Sequence, residues 1–588
     1  MNPAERQPAS PPGADARPGV PWRDWHGKAQ WRILEVGFGH GENFLDAWRA
    51  WREDPRRPAM LHYVATVPTA SPVESLHRAW SANPLLAPLA QSLAQQWFGL
   101  LPGFHRLAFE EDRVLLTLCV GAVRASLREL AFNADGVLLS AGDTDLHRLK
   151  AVARLCRPGT TLSARSHAEP RPADLRQCGF ASAGSSVRAA PEPSAALMEA
   201  VFDPPWQAKR PAPLARVQPG ACAVVGGGLA GTAVAASLAR RGWAVEVFDA
   251  AECPASGASG LPAGLLVAHQ SPDDSLLSRL SRAGVRMTLS QAAGLLRHGE
   301  DWRLTGVMAH RSDAQEALPA DAPPELAAWS RMASPDLKAH AGLGDGCPAL
   351  WHERAGWIRP AALVHAWLAQ PGIRWRGGVR VARLERDQDR WRLWDDAGVA
   401  IARVPLVVVA AAHDSAALLP VRLPLQPVRG QVSWCADPPA GALPPFPVNG
   451  EGYFLPGVPA GPGMAWLCGA SFDRDDADTS ARPQDDASNL ARLERLLPLA
   501  AALVGPLFGT GNVRSWTGVR CASSDRRPLV GELAPGLWVS TAMGSRGLSF
   551  AHLGAELIAA RLHAEPLPLP RRLAASVDVR RALVDPGA

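Results

Sequence analysis

The sequence predicts an α/β protein with two successive domains of the βαβ type, and three observations lead to this prediction. Short apolar segments alternate with helical segments along most of the 588 residues, which is the pattern of parallel βαβ units. Glycine-rich loops at 37–41 and 226–231 each follow a predicted strand and precede a predicted helix. A Pro-rich polar stretch, residues 203–220, lies between the two halves and is the best candidate linker.

The composition is that of a globular protein with several domains. Hydrophobic residues make up 47% of the chain and charged residues 20%, which excludes disordered and collagenous chains. The formal net charge is +5, and all but four of the 61 basic residues are Arg. Arg favours bidentate contacts with phosphate and carboxylate, although a GC-rich genome also encodes Arg in place of Lys. The charge therefore permits an acidic partner such as RNA without requiring one.

No membrane segment and no metal site are expected. The nine cysteines are scattered without a Cys-x-x-Cys pair, which fits free thiols in a reducing cytoplasm. Residues 1–22 are rich in Pro and Ala and lack the apolar core of a signal peptide, so we expect a disordered tail there. Residues 221–239 are apolar at nearly membrane-spanning length, but their four glycines favour a buried strand, turn and helix.

Each half contains strands and helices that can be located from the sequence. In the first half the predicted elements are strands at Arg32–Val36, Leu61–Val67, Val114–Val120, Gly136–Leu139 and Thr161–Ala164 and a helix at Asn43–Arg52. In the second half they are strands at Ala221–Val225 and Ala244–Phe248 and a helix at Thr232–Arg241.

The clearest chemical signal is the loop of the second half, where Gly226, Gly228 and Gly231 form a G-x-G-x-x-G motif. The first glycine allows a tight turn, the second lets a pyrophosphate approach the backbone, and the third lets helix and strand pack closely. Asp249 ends the next strand, 23 residues after the first glycine, where a carboxylate can accept hydrogen bonds from both hydroxyls of a ribose. Strand, glycines, helix, strand and acid in this order predict a dinucleotide site, for either NAD or FAD.

Further segments of the second half form a recognisable set: ASGASG (255–260), AGWIRPAAL (355–363), QPVRGQVS (426–433), GASFDR (469–474), TGVRCASSDRRPLVG (517–531) and MGSRGLSFAHLGAEL (543–557). This set resembles the FAD-dependent amine oxidases of the D-amino acid oxidase type. It is most similar to the C-terminal half of the bifunctional tRNA 5-methylaminomethyl-2-thiouridine biosynthesis proteins. The segments EVGFGHGENFL (35–45), PLLAPLAQSLAQQW (84–97) and LPGFHRL (101–107) resemble the N-terminal methyltransferase half of the same family.

The resemblance implies a fold class and domain boundaries. It implies an α/β chain in which a Rossmann-like methyltransferase domain is followed by an FAD-binding Rossmann domain with an α+β substrate domain. The implied ranges are 23–202 for the first domain, 203–220 for the linker, 221–565 for the oxidoreductase domain and 566–588 for a C-terminal tail.

The resemblance also implies an activity, namely cytoplasmic modification of tRNA at the wobble uridine. FAD would accept a hydride from the carbon next to the nitrogen of a carboxymethylaminomethyl group. Water would hydrolyse the resulting imine, so that glyoxylate leaves and an aminomethyl group remains. In the family, methylation that depends on S-adenosylmethionine then gives the methylaminomethyl group.

Site residues of the oxidoreductase half follow from the same resemblance. Arg520, in TGVR, matches the position that holds the substrate carboxylate in related amino acid oxidases, for which an Arg fork is well suited. Arg546 belongs to the last loop on the flavin side, where Gly544 and Gly547 would let the backbone approach the ring. The implied FAD-binding set is Gly226, Gly228, Gly231, Asp249, Ser259, Gly544 and Gly547.

Other residues of these motifs are harder to interpret. Arg429 is a third candidate, for which a structural ion pair is an equally good interpretation. Ala412 stands where the family usually has Gly, so that its methyl group would tighten the approach to FAD. For His352, His413 and His552, ordinary packing or hydrogen bonding is the preferred interpretation.

The first half keeps the glycine loop of the methyltransferases, and the resemblance assigns S-adenosylmethionine binding to Glu35, Gly37, Gly39 and Gly41. Three positions depart from the family. By our alignment Val67 and Ala122 replace acids that contact the ribose and the adenine, and Ser140 replaces the acid that positions the amine. The sequence therefore favours a degenerate methyltransferase with S-adenosylmethionine as a doubtful cofactor.

A shifted register that brings Asp143 or Asp145 into place, with activity intact, is the alternative for this half. Two further functions remain open for the whole chain. One is an FAD-dependent oxidase of free glycine or D-amino acids, against which the fused first half argues. The other is a non-catalytic tRNA-binding protein, against which the intact dinucleotide motif and the two late Arg motifs argue.

Overall fold

The computed structural model describes residues 20–80, 83–140, 145–165, 170–182, 197–206, 217–314, 316–437, 439 and 441–583. These residues form two compact units. The first contains the described residues up to Gln95 together with 112–128 and 132–206, and the second contains 96–111, 129–131 and the residues from 217 onward. Most of the predicted N-terminal tail (1–19), residues 207–216 of the predicted linker and the last five residues lie outside the described residues.

The strands of the first half are β1 (Gln30–Val36), β2 (Met60–Val67), β3 (Gly103–Phe109), β4 (Val114–Val120), β5 (Ala134–Leu139), β6 (Cys156–Arg165), β7 (Phe180–Ser182) and β8 (Leu197–Phe202). Its helices are α1 (Glu42–Glu53), α2 (Val73–Trp80), α3 (Ala87–Gln96), α4 (Val123–Glu129), α5 (Leu146–Ala153) and α6 (Pro172–Gln177). The five predicted strands and the predicted helix are confirmed. Strand β6 begins earlier than predicted because Cys156 pairs with Ala134 across a β-bulge.

The sheet of the first unit has the strand order β4-β2-β1-β5-β6-β8-β7. The first five of these strands are parallel, and β8 and β7 run antiparallel to their neighbours. Every residue of β2 and β4 is buried, which explains their unbroken apolar sequences. The order reverses between β1 and β5, at the kind of switch point where such folds bind ligands. The predicted Rossmann-like fold is therefore confirmed.

The strands of the second half are β9 (Ala221–Val225), β10 (Ala244–Phe248), β11 (Gly264–Leu266), β12 (Trp302–Leu304), β13 (Val307–His310), β14 (Arg331–Met332), β15 (Ala349–His352), β16 (Gly356–Ile358), β17 (Ile373–Arg376), β18 (Val381–Asp387), β19 (Arg390–Asp395), β20 (Ala400–Val404), β21 (Leu406–Val409), β22 (Gln426–Cys435), β23 (Val448–Gly450), β24 (Gly452–Ala460), β25 (Gly463–Gly469), β26 (Asp473–Arg474), β27 (Arg514–Ala522), β28 (Leu529–Ala534) and β29 (Leu537–Thr541). Its helices are α7 (Leu229–Ala239), α8 (Leu276–Leu295), α9 (Pro335–His340), α10 (Pro360–Leu368), α11 (Ser415–Leu418), α12 (Pro483–Leu496), α13 (Pro498–Phe508), α14 (Gly547–His563) and α15 (Arg571–Ala575).

Two large sheets organise the second unit. One has the order β17-β10-β9-β21-β29-β28 and is parallel except for β28. The other runs β14-β15-β13-β23-β24-β25-β22-β26, with β27 also paired to β22, and most of its pairs are antiparallel. The parallel sheet carries the glycine loop between β9 and α7. The predicted combination of a dinucleotide-binding domain with an α+β domain is confirmed.

Two stretches within the boundaries predicted for the first domain pack in the second unit, namely residues 96–111 and 129–131. Arg286 of α8 donates a hydrogen bond to the Gln96 carbonyl over 2.7 Å, and its guanidinium lies 4.2 Å from the Phe98 ring centroid. Trp329 donates to the Gly99 carbonyl over 2.9 Å. These contacts use backbone carbonyls and a buried cation, for which a sequence offers no periodic signal.

Much of the segment that the sequence predicts as a C-terminal tail packs against the core of the second unit. Leu569, Leu573 and Val577 are buried there, and Asp578 forms a β-bridge with Val530. Among the described residues, no helix combines the length and the apolar character needed to cross a bilayer. The apolar stretch 221–239 forms β9, the glycine loop and α7, as predicted.

Candidate active site

The glycine loop of the second unit is held tightly between two strands. Gly226 has φ +115, and a Cβ added to it would lie 2.4 Å from the Ala410 carbonyl oxygen, which follows β21. A Cβ added to Gly231, in the first turn of α7, would lie 1.9 Å from the Gly226 carbonyl oxygen. Both positions therefore require glycine, because a side chain at Gly226 would clash with the backbone of Ala410 and one at Gly231 would push α7 away from the loop.

Asp249, at the end of β10, is held in place by hydrogen bonds from two backbone amides, one of them in the glycine loop. One carboxylate oxygen accepts a hydrogen bond from the Gly227 amide over 2.6 Å, and the other accepts from the Ala251 amide over 2.8 Å. The side chain is half-buried, so the remaining lone pairs face outward and can accept from ribose hydroxyls. The predicted juxtaposition of Gly226–Gly228 with Asp249 is present in the structure.

FAD fits this loop and its surroundings. Gly228 caps the 11-residue helix α7, and the positive end of the helix dipole favours a phosphate there. Ser259 lies at the same helix end, where its hydroxyl accepts a hydrogen bond from the Leu229 amide over 2.9 Å. A Cβ added to Gly257 or to Gly544, which has φ +56, would meet no atom within 4 Å. The residues present can therefore hold a diphosphate and leave open space beside both loops.

Replacing Asp249 with Asn is expected to weaken FAD binding by about 10- to 100-fold, because a hydrogen bond to a charged acceptor contributes about 1.5–3 kcal/mol. Equilibrium titration of the apoprotein with FAD measures the change. Glu246→Gln is the matched control, because Glu246 lies on the same strand but pairs with Arg376 at 3.2 Å in a partly exposed ion pair. Equal FAD affinity of the Asp249→Asn variant and wild type would contradict the role given to Asp249.

Arg520 projects from β27 with its guanidinium positioned by backbone carbonyls. It donates to the Ser471 carbonyl over 3.0 Å and to the Ser545 hydroxyl over 3.2 Å. Burial lowers its pKa from the usual value, and it forms no ion pair within the described part of the chain. A half-buried guanidinium without a carboxylate partner is available to donate hydrogen bonds to an anionic ligand.

Arg546 lies next to Ser545, in the short turn Gly544–Arg546 before α14. It is half-buried, burial and the nearby Arg526 lower its pKa, and no ion-pair partner is present among the described residues. Burial first and then Arg546 lower the pKa of His269 to about 4, which keeps this imidazole neutral at pH 7. Gly547 opens α14 with φ −52, and a Cβ there would meet Leu229 at 3.4 Å, an ordinary contact.

Tyr453, on β24, is a site residue that the sequence interpretation missed. The register pairs Tyr453 with Gly469, Gly469 with Val432, and Val432 with Trp516. Its side chain therefore lies on the same sheet face as Arg520, four residues beyond Trp516 on β27. Its hydroxyl is buried without a hydrogen-bond partner among the described residues, and burial raises its pKa. Such an orphaned hydroxyl beside Arg520 can serve a bound substrate.

Three other motif residues have structural roles. Arg429 is fully buried, and its guanidinium donates to Asp485, to the Ser480 carbonyl and to Gln431, so the ion-pair interpretation holds. His352 shares a 2.8 Å hydrogen bond with Ser330. Ala412 has φ +50, a conformation that costs a non-glycine residue about 1–2 kcal/mol. The usual glycine at that position is explained by its backbone as well as by space.

In the first unit the loop after β1 has positive φ at Gly37, Gly39 and Gly41. Glu35, which precedes it, is fully buried. One of its oxygens accepts from Asn43 and Ser140, both over 2.6 Å, and the other accepts from Tyr63 over 2.8 Å. Burial raises the pKa of Glu35 to about 7, against the hydrogen bonds, which lower it.

Replacing Glu35 with Gln is expected to change how the stability of the first unit depends on pH. In the wild type the folded state keeps a proton on Glu35 up to pH about 7, whereas the unfolded chain loses it near 4.5. Stability therefore falls as pH rises through this window, by about 3 kcal/mol in total. The Gln variant lacks this loss, so its stability relative to wild type should increase from pH 5 to pH 8. Chemical unfolding at both pH values tests this, with the exposed Glu42→Gln as control, and an unchanged difference would contradict it.

The amino-acid sequence of the chain matches those of known proteins. Residues 221–561 match the family model described as FAD dependent oxidoreductase. The tRNA 5-methylaminomethyl-2-thiouridine biosynthesis bifunctional protein MnmC of Polaromonas sp. (strain JS666 / ATCC BAA-500) is 49% identical to this chain, over 94% of the chain and 90% of the relative. The chain belongs to the MnmC family. The MnmC of Verminephrobacter eiseniae (strain EF01-2) is 47% identical, over 95% of the chain and 97% of the relative.

Among solved structures, glycine oxidase from Bacillus cereus ATCC 14579 covers 58% of this chain and 94% of its own, with 21% identity and a TM-score of 0.48. Relationship to MnmC proteins extends over both halves of the chain. The resemblance expected from the sequence motifs is confirmed.

Proposed function

We propose that this protein is an FAD-dependent oxidoreductase that removes the carboxymethyl group from a carboxymethylaminomethyl side chain on the wobble uridine of tRNA. The product is the aminomethyl nucleoside, and the protein acts in the cytoplasm. The substrate is a secondary amine that carries a carboxylate two bonds from its nitrogen. An enzyme for it needs a two-electron acceptor and a cationic group that fixes the carboxylate.

One observation carries the proposal, namely the hydrogen bond between Arg520 and Ser545. It joins Arg520, which has no carboxylate partner among the described residues, to the turn Gly544–Arg546, which lies at the head of α14 and has open space at Gly544. A carboxylate on Arg520 therefore sits beside the loop assigned to the flavin.

The chain's own residues position the substrate and keep it unprotonated. FAD, when bound, supplies the acceptor for the hydride that leaves the carbon between nitrogen and carboxylate. Arg520 holds the carboxylate, and the Tyr453 hydroxyl lies on the same sheet face to donate or accept one more hydrogen bond. His269 is neutral and Arg546 is a cation, so neither side chain brings a negative charge that would raise the pKa of the substrate amine. Water then hydrolyses the substrate imine, and glyoxylate leaves.

Anaerobic mixing of the FAD-loaded protein with tRNA bearing the carboxymethylaminomethyl base tests this function. We expect the visible absorption of the flavin to decrease after mixing. The flavin takes two electrons from the substrate, and no oxygen is present to reoxidise it. Unmodified tRNA is the control and should leave the spectrum unchanged. Bleaching by free glycine or N-methylglycine at comparable rates, without bleaching by the modified tRNA, would instead establish a small-molecule oxidase.

A further inference from the structure

The methyltransferase half of the MnmC name implies a site for S-adenosylmethionine in the first unit. That cofactor presents three hydrogen-bond donors to a protein, namely an adenine amino group, a ribose diol and an ammonium group, and carboxylates are their strongest acceptors. In a parallel α/β sheet these acceptors belong at the carboxyl ends of the strands, beside the switch point. The fit therefore depends on the residues that end β2, β4 and β5.

Among the described residues, none of these three strand ends carries a carboxylate. Strand β2 ends at Val67, which is 7% exposed, β4 is followed by Gly121 and Ala122, and β5 is followed by Ser140. The second unit of the same chain provides the comparison. There β10, the counterpart of β2, is followed by the half-exposed Asp249, whose carboxylate is oriented by two amides. The two glycine loops of this protein thus differ at the end of the next parallel strand, which is Asp249 in the second unit and Val67 in the first.

The other acidic residues near this edge of the sheet either hydrogen-bond to groups of their own unit or lie beside the glycine loop. Glu35 has no exposed surface, and three side chains of its own unit donate to it. Asp145 lies six residues beyond the end of β5, where it caps α5 by accepting a hydrogen bond from the Arg148 amide over 2.7 Å. Glu42, in the first turn of α1, is exposed beside the loop. Asp143 lies outside the described residues.

We infer that the first unit no longer uses S-adenosylmethionine, so that this chain departs from the second activity in its relatives' name. The described residues do not fit the cofactor, because none of the described strand ends beside the glycine loop offers a carboxylate to the ribose or the adenine. The protein then delivers the aminomethyl nucleoside as its final product, and any methyl group must be added by a separate methyltransferase.

Equilibrium dialysis of the full-length, FAD-loaded protein against labelled S-adenosylmethionine tests the inference. The loss of two charged contacts weakens binding by at least about 100-fold relative to a site of micromolar affinity, so no saturable binding is expected at micromolar cofactor. A dissociation constant in the micromolar range would overturn the inference. Circular dichroism of the same sample establishes that the first unit is folded.

A second measurement separates this inference from the proposed oxidation. The protein is incubated with labelled S-adenosylmethionine and tRNA that already carries the aminomethyl base, which needs no oxidation. We expect no labelled methyl group in the tRNA. Formation of the methylaminomethyl nucleoside would overturn the inference whatever the outcome for the oxidase.

Discussion

Replacing Arg520 with Met is expected to reduce kcat/KM for carboxymethylaminomethyl-modified tRNA by about 10³-fold. Removing one partner of a buried, hydrogen-bonded charge pair costs about 2–5 kcal/mol or more, and here the substrate carboxylate would be left unpaired. The loss should appear in both kcat and KM, because the same contact holds the substrate and aligns its C–H bond. Arg520→Lys should recover part of the activity, since it keeps the charge but not the planar fork.

Arg514→Met is the matched control for this change. Arg514 lies six residues away on the same strand, β27, and its guanidinium is 5.4 Å from the Trp434 ring centroid. Its loss should leave turnover close to that of wild type. Flavin content and the flavin spectrum must be unchanged in both variants. Near-normal turnover by Arg520→Met, or an equal loss from Arg514→Met, would contradict the role of Arg520 as the carboxylate anchor.

Replacing Arg241 with Met is expected to destabilise the second unit by about 3–5 kcal/mol, because it removes a buried cation that two buried carboxylates share. Arg241 follows α7 and pairs with Glu556 at 2.9 Å and with Glu565 at 2.8 Å, and all three side chains are at most 4% exposed. Burial alone would lower the pKa of Arg241, but the two carboxylates raise it above the usual value. The loss of stability can be measured as the lower temperature at which the protein releases FAD, because released FAD becomes more fluorescent.

Two further variants decide the cause of this destabilisation. Arg580→Met removes an arginine that is 72% exposed and paired with Asp578, and a surface pair of this kind contributes about 0–1 kcal/mol. Adding Glu556→Gln and Glu565→Gln to Arg241→Met removes the two negative charges that faced Arg241 and should restore part of the stability. An Arg241→Met protein that releases FAD at the wild-type temperature, or a triple variant less stable than the single one, would contradict the account.

The dinucleotide loop could be predicted from the sequence because its chemistry is local. Gly226 and Asp249 are separated by one strand, one loop and one helix, so the spacing along the chain sets their positions in space. Arg520 is different, because its proximity to Ser545 depends on how β27 pairs within the large sheet. Its assignment came from resemblance to a family and from no pattern in the residues themselves. The structure adds the hydrogen bond between Arg520 and Ser545, which supports the assignment.

Tyr453 and Glu35 show what the sequence pattern does not contain. The place of Tyr453 is set by three strand pairings across β24, β25, β22 and β27, and register between distant strands has no local signal. A compositional clue was available, since the chain has only two Tyr against 14 Phe and 21 Trp. The other one, Tyr63, donates to Glu35. The burial of Glu35 by Asn43, Ser140 and Tyr63 depends on packing around β1, which alternation of apolar residues does not reveal.

Nucleoside mass analysis of tRNA after reaction tests the central claim most directly. The full-length protein, FAD and oxygen are incubated with tRNA bearing the carboxymethylaminomethyl wobble base, and glyoxylate is measured in the same reaction. We predict that the aminomethyl nucleoside accumulates in equal amount to glyoxylate and remains unmethylated when S-adenosylmethionine is added. An unchanged wobble base in a reaction where the protein is loaded with FAD would contradict the assignment of tRNA as its substrate.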